Sequence, residues 1–403
     1  MTAEPSIVER PTSEVDRRAL TSVAVQFFVN GAVVASFVPR LPEIRERIGV
    51  GLDGLGLMMS IAITIGTIGG LRSPTVIERF GTRRTLIVGG GLLVAALPVI
   101  GLATAPVVFV AGLALMLIAD SLVDVSMNLQ GSWLSARRHV PVMNRLHGLW
   151  SLGTVVGGLA AARAAASGVS LAAHLTVAAV GMLIALVFVG RGLLSVDEGG
   201  EDAGDASTAV NRSRAAMVAL SLLALAGALS VTVEFVSSDW AAFRLSEDFG
   251  ATAGFAGLGY VAFTLGMTVG RFGGDFAQLR LGDDRLLRTA VVVSGCGLAA
   301  AGFVPNRWVV LVAYLVAGVG ISTFFPKLYN DAAQFRGRRG RGVAWLRTGS
   351  SLTALVIPTV VGVLAATSLS VGTATAIITL PCVGGLLALS LRAPGRREPD
   401  QAS

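Results

Sequence analysis

The chain has 403 residues, 53% of them hydrophobic and only 14% charged, with a formal net charge of +7. Soluble domains carry about 25% charged residues, so this composition, with a mean hydropathy of +0.72, excludes an ordinary soluble fold and points to a polytopic membrane protein. The basic balance does not argue for nucleic acid, because the charges fall in short segments between apolar runs.

Residues 1–18 mix Glu4, Glu9, Glu14 and Asp16 with Arg10, Arg17 and Arg18. They lack the cationic start and short apolar core of a cleaved signal and are expected to form a tail. A span needs about 20 apolar residues. Twelve are expected, at 19–39, 54–73, 85–104, 106–128, 146–165, 170–191, 215–237, 252–271, 287–304, 308–327, 343–366 and 369–391. The acidic, Gly/Ala/Ser-rich stretch 192–214 reads as a flexible linker. It separates a six-helix bundle over 19–191 from a second over 215–391, and 392–403 forms the other tail. Cys296 and Cys382 lie in apolar stretches and form no disulfide or metal framework.

Lys and Arg in the loops set the orientation. With the N-terminus inside, the inner segments hold 25 basic residues and the outer ones six: Arg40, Arg45, Arg47, Arg163, Arg244 and Arg307. Both termini and the linker are therefore expected to be cytoplasmic, in a multi-pass protein of the cell membrane. Arg347 is the sole basic residue in the middle of an expected span.

The halves repeat one another. "GGLRSPTVIERFGTRRTL" (69–86) follows span 2 and "GRFGGDFAQLRLGDDRLL" (270–287) follows span 8. A shift of 201 carries Arg79, Gly81 and Arg84 onto Arg280, Gly282 and Arg285; a shift of 200 carries Gly66 and Gly70 onto Gly266 and Gly270. A duplicated six-span unit places its binding site at the interface of the repeats, near the midplane.

With these features the chain resembles the major facilitator superfamily over nearly its whole length. The loop signature of that family is roughly G-x-x-x-D-R-x-G-R-R. The second copy keeps Gly270, Gly274, Asp275, Gly282 and Arg285; the first keeps Arg79, Gly81, Arg83 and Arg84, with Pro74 where an acid is usual. "RLPEIRERIG" (40–49), "SMNLQG" (126–131), "NRLHGLWSLGTVVGG" (144–158) and "EFVSSDWAAFRL" (234–245) resemble the MosC-like/YbjJ-like bacterial group. "GTVVGG" (153–158) is similar to the antiporter motif G-P-x-x-G-G, with Thr154 replacing its proline. The resemblance implies an all-α membrane fold of two pseudo-symmetric six-helix bundles. It also implies that Asp275 caps the start of span 5 across the domain interface, where helix-end N–H groups favour a carboxylate.

The candidate site residues are polar groups within spans. Asp120 and Asp124, in "LMLIADSLVDVSMNLQ" (115–130), share a helical stripe with Asn128. An ionised carboxylate in hydrocarbon costs ~3 kcal/mol on insertion scales, so both are expected to face the interior. Asp120 is the candidate substrate- or proton-binding group, and Asp124 a gate-side partner within reach of Arg72. Glu234 is the one acid inside span 7, either a coupling carboxylate or a helix-end acid paired with Arg40. Gln26 and Asn30 share a stripe of span 1 with Ser22 and suit either a hydroxylated or zwitterionic ligand or interhelical bonding. Arg347 either binds an anion or snorkels. His147, at the start of span 5, suits switching, and with Asp275, Arg72, Arg79 and Arg280 makes up the gating candidates.

No paired histidines at metal-ligand spacing and no Walker motif are present. The expectation is therefore a secondary transporter of a small molecule working by alternating access, driven by protons, monomeric and without cofactor, nucleic-acid partner or enzymatic activity. A receptor or an uncoupled facilitator is the alternative.

Overall fold

The computed structural model describes residues 13–138, 142–194, 214–333 and 341–392, so residues 1–12, most of the 192–214 linker and residues 393–403 lie outside the described residues, whereas residues 14–18 of the expected tail are the first turns of a helix capped by Ser13. All regular structure among the described residues is helical. The first half contains α1 (Glu14–Phe37), α2 (Leu41–Ile48), α3 (Leu52–Gly70), α4 (Ser73–Phe80), α5 (Thr82–Leu102), α6 (Pro106–Arg138), α7 (Met143–Ala166) and α8 (Leu171–Gly192). The second contains α9 (Arg214–Asp239), α10 (Ala241–Phe249), α11 (Ala253–Leu281), α12 (Asp283–Phe303), α13 (Arg307–Ile321), α14 (Phe324–Ala333), α15 (Arg341–Ala365) and α16 (Val371–Arg392).

Twelve of these helices match the twelve expected spans, and eleven are long and apolar enough to cross a bilayer. The exception is α13. A continuous span over 308–327 was expected, but the helix stops at Ile321 and α14 starts at Phe324. Pro326 has no N–H to offer the Ser322 carbonyl. The Ser322 and Thr323 hydroxyls bond back to the carbonyls of Val319 (2.7 Å) and Gly320 (3.3 Å), which further loosens the ladder. The short helices α2, α4, α10 and α14 join or end spans.

Because the number of spans is even, α1 begins and α16 ends at one face of the bundle, here called the terminal face. Hydrophobic packing separates into two cores, one built mainly on α1–α8 and one on α9–α16. The repeat is visible in the backbone. Gly49 and Gly250 end α2 and α10 in left-handed conformations, φ 70° and 59°. Gly81 and Gly282 link α4 to α5 and α11 to α12 at φ 76°, ψ 156° and φ 73°, ψ 159°.

The halves meet along α3/α15 and α7/α11. Away from the terminal face, Ser60 and Thr359 hydroxyls bond at 2.8 Å and Arg45 pairs with Glu247 at 3.0 Å, so α2 and α10 touch. A Cβ on Gly56 or Gly362 would overlap the carbonyl oxygens of Pro358 and Leu52 respectively. The molecule is thus closed at the face opposite the termini.

The Gly81 and Gly282 backbone lies in a region that only glycine adopts without strain, at a cost of about 1–3 kcal/mol for other residues. Gly81→Ala and Gly282→Ala should each lower the melting temperature in detergent. Gly181→Ala, in α8 with open space around it, should not; equal melting temperatures for all three would contradict these dihedrals.

Candidate functional site

Mid-bundle, α1 and α6 run antiparallel and bring Asn30 to Asp120. The Asn30 Nδ2 donates to Asp120 Oδ1 at 2.7 Å, and the Trp150 indole Nε1 donates to Asn30 Oδ1 at 2.8 Å. Trp150 gets this close because α1 and α7 touch through glycine: a Cβ on Gly31 would overlap the Trp150 carbonyl oxygen, and one on Gly153 the Phe28 carbonyl oxygen. Asn30 therefore spends its carbonyl on one helix and its amide on another, which fixes which end is nitrogen.

The path continues into the second half through Arg271. Its Nη1 donates to the Ser151 hydroxyl at 2.6 Å, its guanidinium carbon lies 5.5 Å from the Trp150 ring centre, and its Nη2 is 3.9 Å from Glu234 Oε1. The Thr268 hydroxyl donates to the Ser151 carbonyl at 3.3 Å, holding the same seam. Asp120, Asn30, Trp150 with Ser151, Arg271 and Glu234 thus form one polar path over α6, α1, α7, α11 and α9.

Arg271 was expected at the junction of span 8 and the loop that follows it, and is one of the inner basic residues. Hydropathy ended that span at "GRFGGDF", whereas α11 runs on to Leu281 and carries Arg271 within the bundle. The inner basic total falls by one, which leaves the asymmetry intact. A signal was available: Thr264, Thr268 and Arg271 recur at i, i+4 and i+7, one polar stripe of a helix.

The other expected residues fall into place unevenly. Asp124 accepts from Asn128 Nδ2 at 3.0 Å on its own helix and interacts electrostatically with Asp120 and with Arg347 of the other half. Arg72 does not supply that charge: it caps α4 and points into an exposed groove with Arg79. Arg347 is exposed near the start of α15. Arg40 does not meet Glu234 either. A bidentate bond to Glu43 (2.8 and 2.9 Å) and one to the Val169 carbonyl (2.9 Å) hold it near α8. Gln26 is 1% exposed, and neither atom of its amide finds a partner among the described residues.

His147 is exposed and meets Phe27 edge-on at 5.2 Å. Arg79 and Arg280 are exposed and lie over Phe80 and Phe276 at 5.3 and 4.7 Å. The Asp275 side chain lies outside the described residues. Asp239, at the end of α9, accepts from the Ser238 hydroxyl at 2.9 Å and interacts electrostatically with Glu234. Four carboxylates, Asp120, Asp124, Glu234 and Asp239, therefore share this region with two guanidiniums. No group of three or more metal-ligating side chains occurs among the described residues.

The Trp150–Asn30 bond can be measured by a double-mutant cycle of Asn30→Ala and Trp150→Phe, read as unfolding in mixed micelles. Interhelical hydrogen bonds in membranes average about 0.6 kcal/mol, and a coupling of that size is expected. Strict additivity would show that the two side chains do not interact.

A family model described as Major Facilitator Superfamily matches residues 216–403. An uncharacterized MFS-type transporter of Yersinia pestis is 27% identical over 312 residues, which cover 77% of this chain and 79% of that one. The membrane protein MosC of Rhizobium meliloti is 25% identical over 382 residues, 94% and 90% of the respective chains. Among solved structures, the nucleoside transporter NupG superposes with a TM-score of 0.71 at 11% identity, covering 94% of this chain and 98% of its own. At that identity the likeness speaks to the fold alone.

Proposed function

We propose that the chain is a membrane transporter of the major facilitator superfamily, whose model matches residues 216–403 and whose MFS-type and MosC relatives align over most of its length, and that it moves a small molecule across the cytoplasmic membrane by alternating access, with proton binding at Asp120 as the coupling step. The observation that carries this reading is the polar path from Asp120 to Glu234, which joins an acid of each half through Arg271.

Asp120 accepts only an amide hydrogen bond, and among the described residues no cation pairs with it. A carboxylate in that position pays for its charge, and a proton removes the charge. Protonation also weakens the bond from Asn30, because hydrogen bonds to ionised acceptors are about twice as strong as neutral ones. Asn30 holds Trp150, whose ring lies beneath Arg271, so the charge state of an acid in one half bears on a cation of the other. A 3.9 Å gap leaves Arg271 and Glu234 short of full contact, and a shift between the halves would open or close it. Substrate binds between the halves, in reach of the same groups. A ligand or proton drives such a change only by favouring one state over the other.

The arrangement supports an inward-open state. The face opposite the termini is sealed by Arg45–Glu247, Ser60–Thr359 and the glycine contacts of α3 with α15. Toward the terminal face, Arg347 and His147 are exposed and Asp124 and Asp120 partly so. The basic asymmetry makes the terminal face cytoplasmic. A reporter fused at Gly200 should therefore be active only in its cytoplasmic form, and a periplasmic signal would invert the assignment.

Asp120→Asn should preserve folding and surface expression but abolish uphill accumulation in proteoliposomes under a proton gradient, while equilibrative exchange survives. The substrate for this assay comes from a ligand-dependent thermal-shift screen at two pH values. Accumulation at the wild-type rate would make Asp120 structural and move the search for the coupling group to Glu234. No transport of any binding ligand would favour a receptor.

A further inference from the structure

Helix α4 carries a feature that the transport path does not use. Arg72, Thr75, Val76, Arg79 and Phe80 line a groove of about 340 Å³. Their spacing, i, i+3, i+4, i+7 and i+8, places all five on one helical face. Ser73 and Ile77, on the other side, are buried where α4 packs on α5 and α6. Arg72 and Arg79 are both exposed, and among the described residues neither forms an ion pair with a carboxylate. Arg79 lies over the Phe80 ring, which steers its guanidinium along the groove.

The position of α4 says what fills the groove. It begins just past Gly70, where α3 leaves the apolar layer. Ile68 (62% exposed), Leu71 (74%) and Phe80 (49%) stand open beside it. An occupant must offer negative charge to two guanidiniums and apolar surface to three hydrophobic side chains. A free anion satisfies only the first requirement, and a neutral lipid only the second.

We propose that this groove binds the headgroup phosphate of an anionic phospholipid between Arg72 and Arg79, with the Thr75 hydroxyl as a further donor and the acyl chain along Ile68, Leu71 and Phe80. Arginine suits the phosphate because its planar fork donates in pairs. The reading depends on the membrane placement of α3 and is independent of proton coupling.

Titration of the purified full-length protein in neutral detergent with dioleoylphosphatidylglycerol, followed by native mass spectrometry and thermal shift, tests it. The protein should bind this lipid more tightly than dioleoylphosphatidylcholine. A basic residue near an anionic surface contributes about fivefold in affinity. Arg72→Gln and Arg79→Gln should therefore each weaken binding about fivefold, and together about 25-fold, with an unchanged lipid-free melting temperature. Arg72→Lys with Arg79→Lys, which keeps the charge, should retain most of the binding and serves if the glutamine pair unfolds. Arg280→Gln, an exposed arginine of the other half, should leave the affinity as it was. Wild-type affinity in the double glutamine variant overturns the site. So does an equal loss in Arg280→Gln, which would reduce the effect to general surface charge. Equal stabilisation by soluble glycerol phosphate would identify a free-anion site instead, and equal binding of phosphatidylcholine would remove the role of the arginines.

Discussion

The close approach of α1 and α7 is the constraint on which the rest of the site depends. In a bilayer there is no hydrophobic force between helices, so small residues that let backbones touch supply much of the packing. Gly31 and Gly153 each face a carbonyl of the partner helix, Trp150 and Phe28 respectively. The second half repeats the device at a constant offset of 196. Gly227 faces the Leu346 carbonyl on α15, and Gly349 faces the Ala224 carbonyl on α9. A side chain at any of these four positions would push a helix pair apart. In the first half the displaced group would be Trp150, and with it would go the bond to Asn30, the surface under Arg271 and the neighbouring Ser151 hydroxyl that Arg271 uses.

Much of this was legible in the sequence, and the reasons for success and failure are physical. Hydropathy finds spans because apolar length is what a bilayer demands, and the repeated glycines betray the duplication because their backbone dihedrals admit little else. Asp120 stands out because charge in an apolar run is costly. The partners of Asp124 and Glu234 were not legible: Arg72 and Arg40 were the expected cations by level along the membrane, but a level does not say which way a helix turns its face. Arg271 was hidden because it lies in a glycine-rich stretch where hydropathy falls before the helix ends. The short α2 and α10 were invisible to a search for long apolar runs. Yet they close one face, each braced to its own half by a buried arginine, Arg40 on the Val169 carbonyl and Arg244 on the Ala301 and Val304 carbonyls.

The duplication also shows where function departs from scaffold. Under the offset of 196 that relates the glycine contacts, Asn30 corresponds to Ala226, Trp150 to Leu346 and Glu234 to Val38. Gly70 packs on Ser121 as Gly270 packs on Ser322, and that correspondence matches Asp120 with Ile321 and Arg271 with Leu71 or Gly70. Apart from Ser151, which the same offset matches with Arg347, every member of the polar path thus has an apolar or glycine counterpart in the other half. The residues that set helix contacts follow the repeat; those that carry charge and directional hydrogen bonds break it. A symmetric scaffold offers two arrangements of similar energy, one open to each side. Polar groups placed on one side of that symmetry, with Asp120 and Asn30 in the first half and Arg271 and Glu234 in the second, give the two arrangements different electrostatic energies. A proton or a ligand can then choose between them, which a fully symmetric interior would not allow.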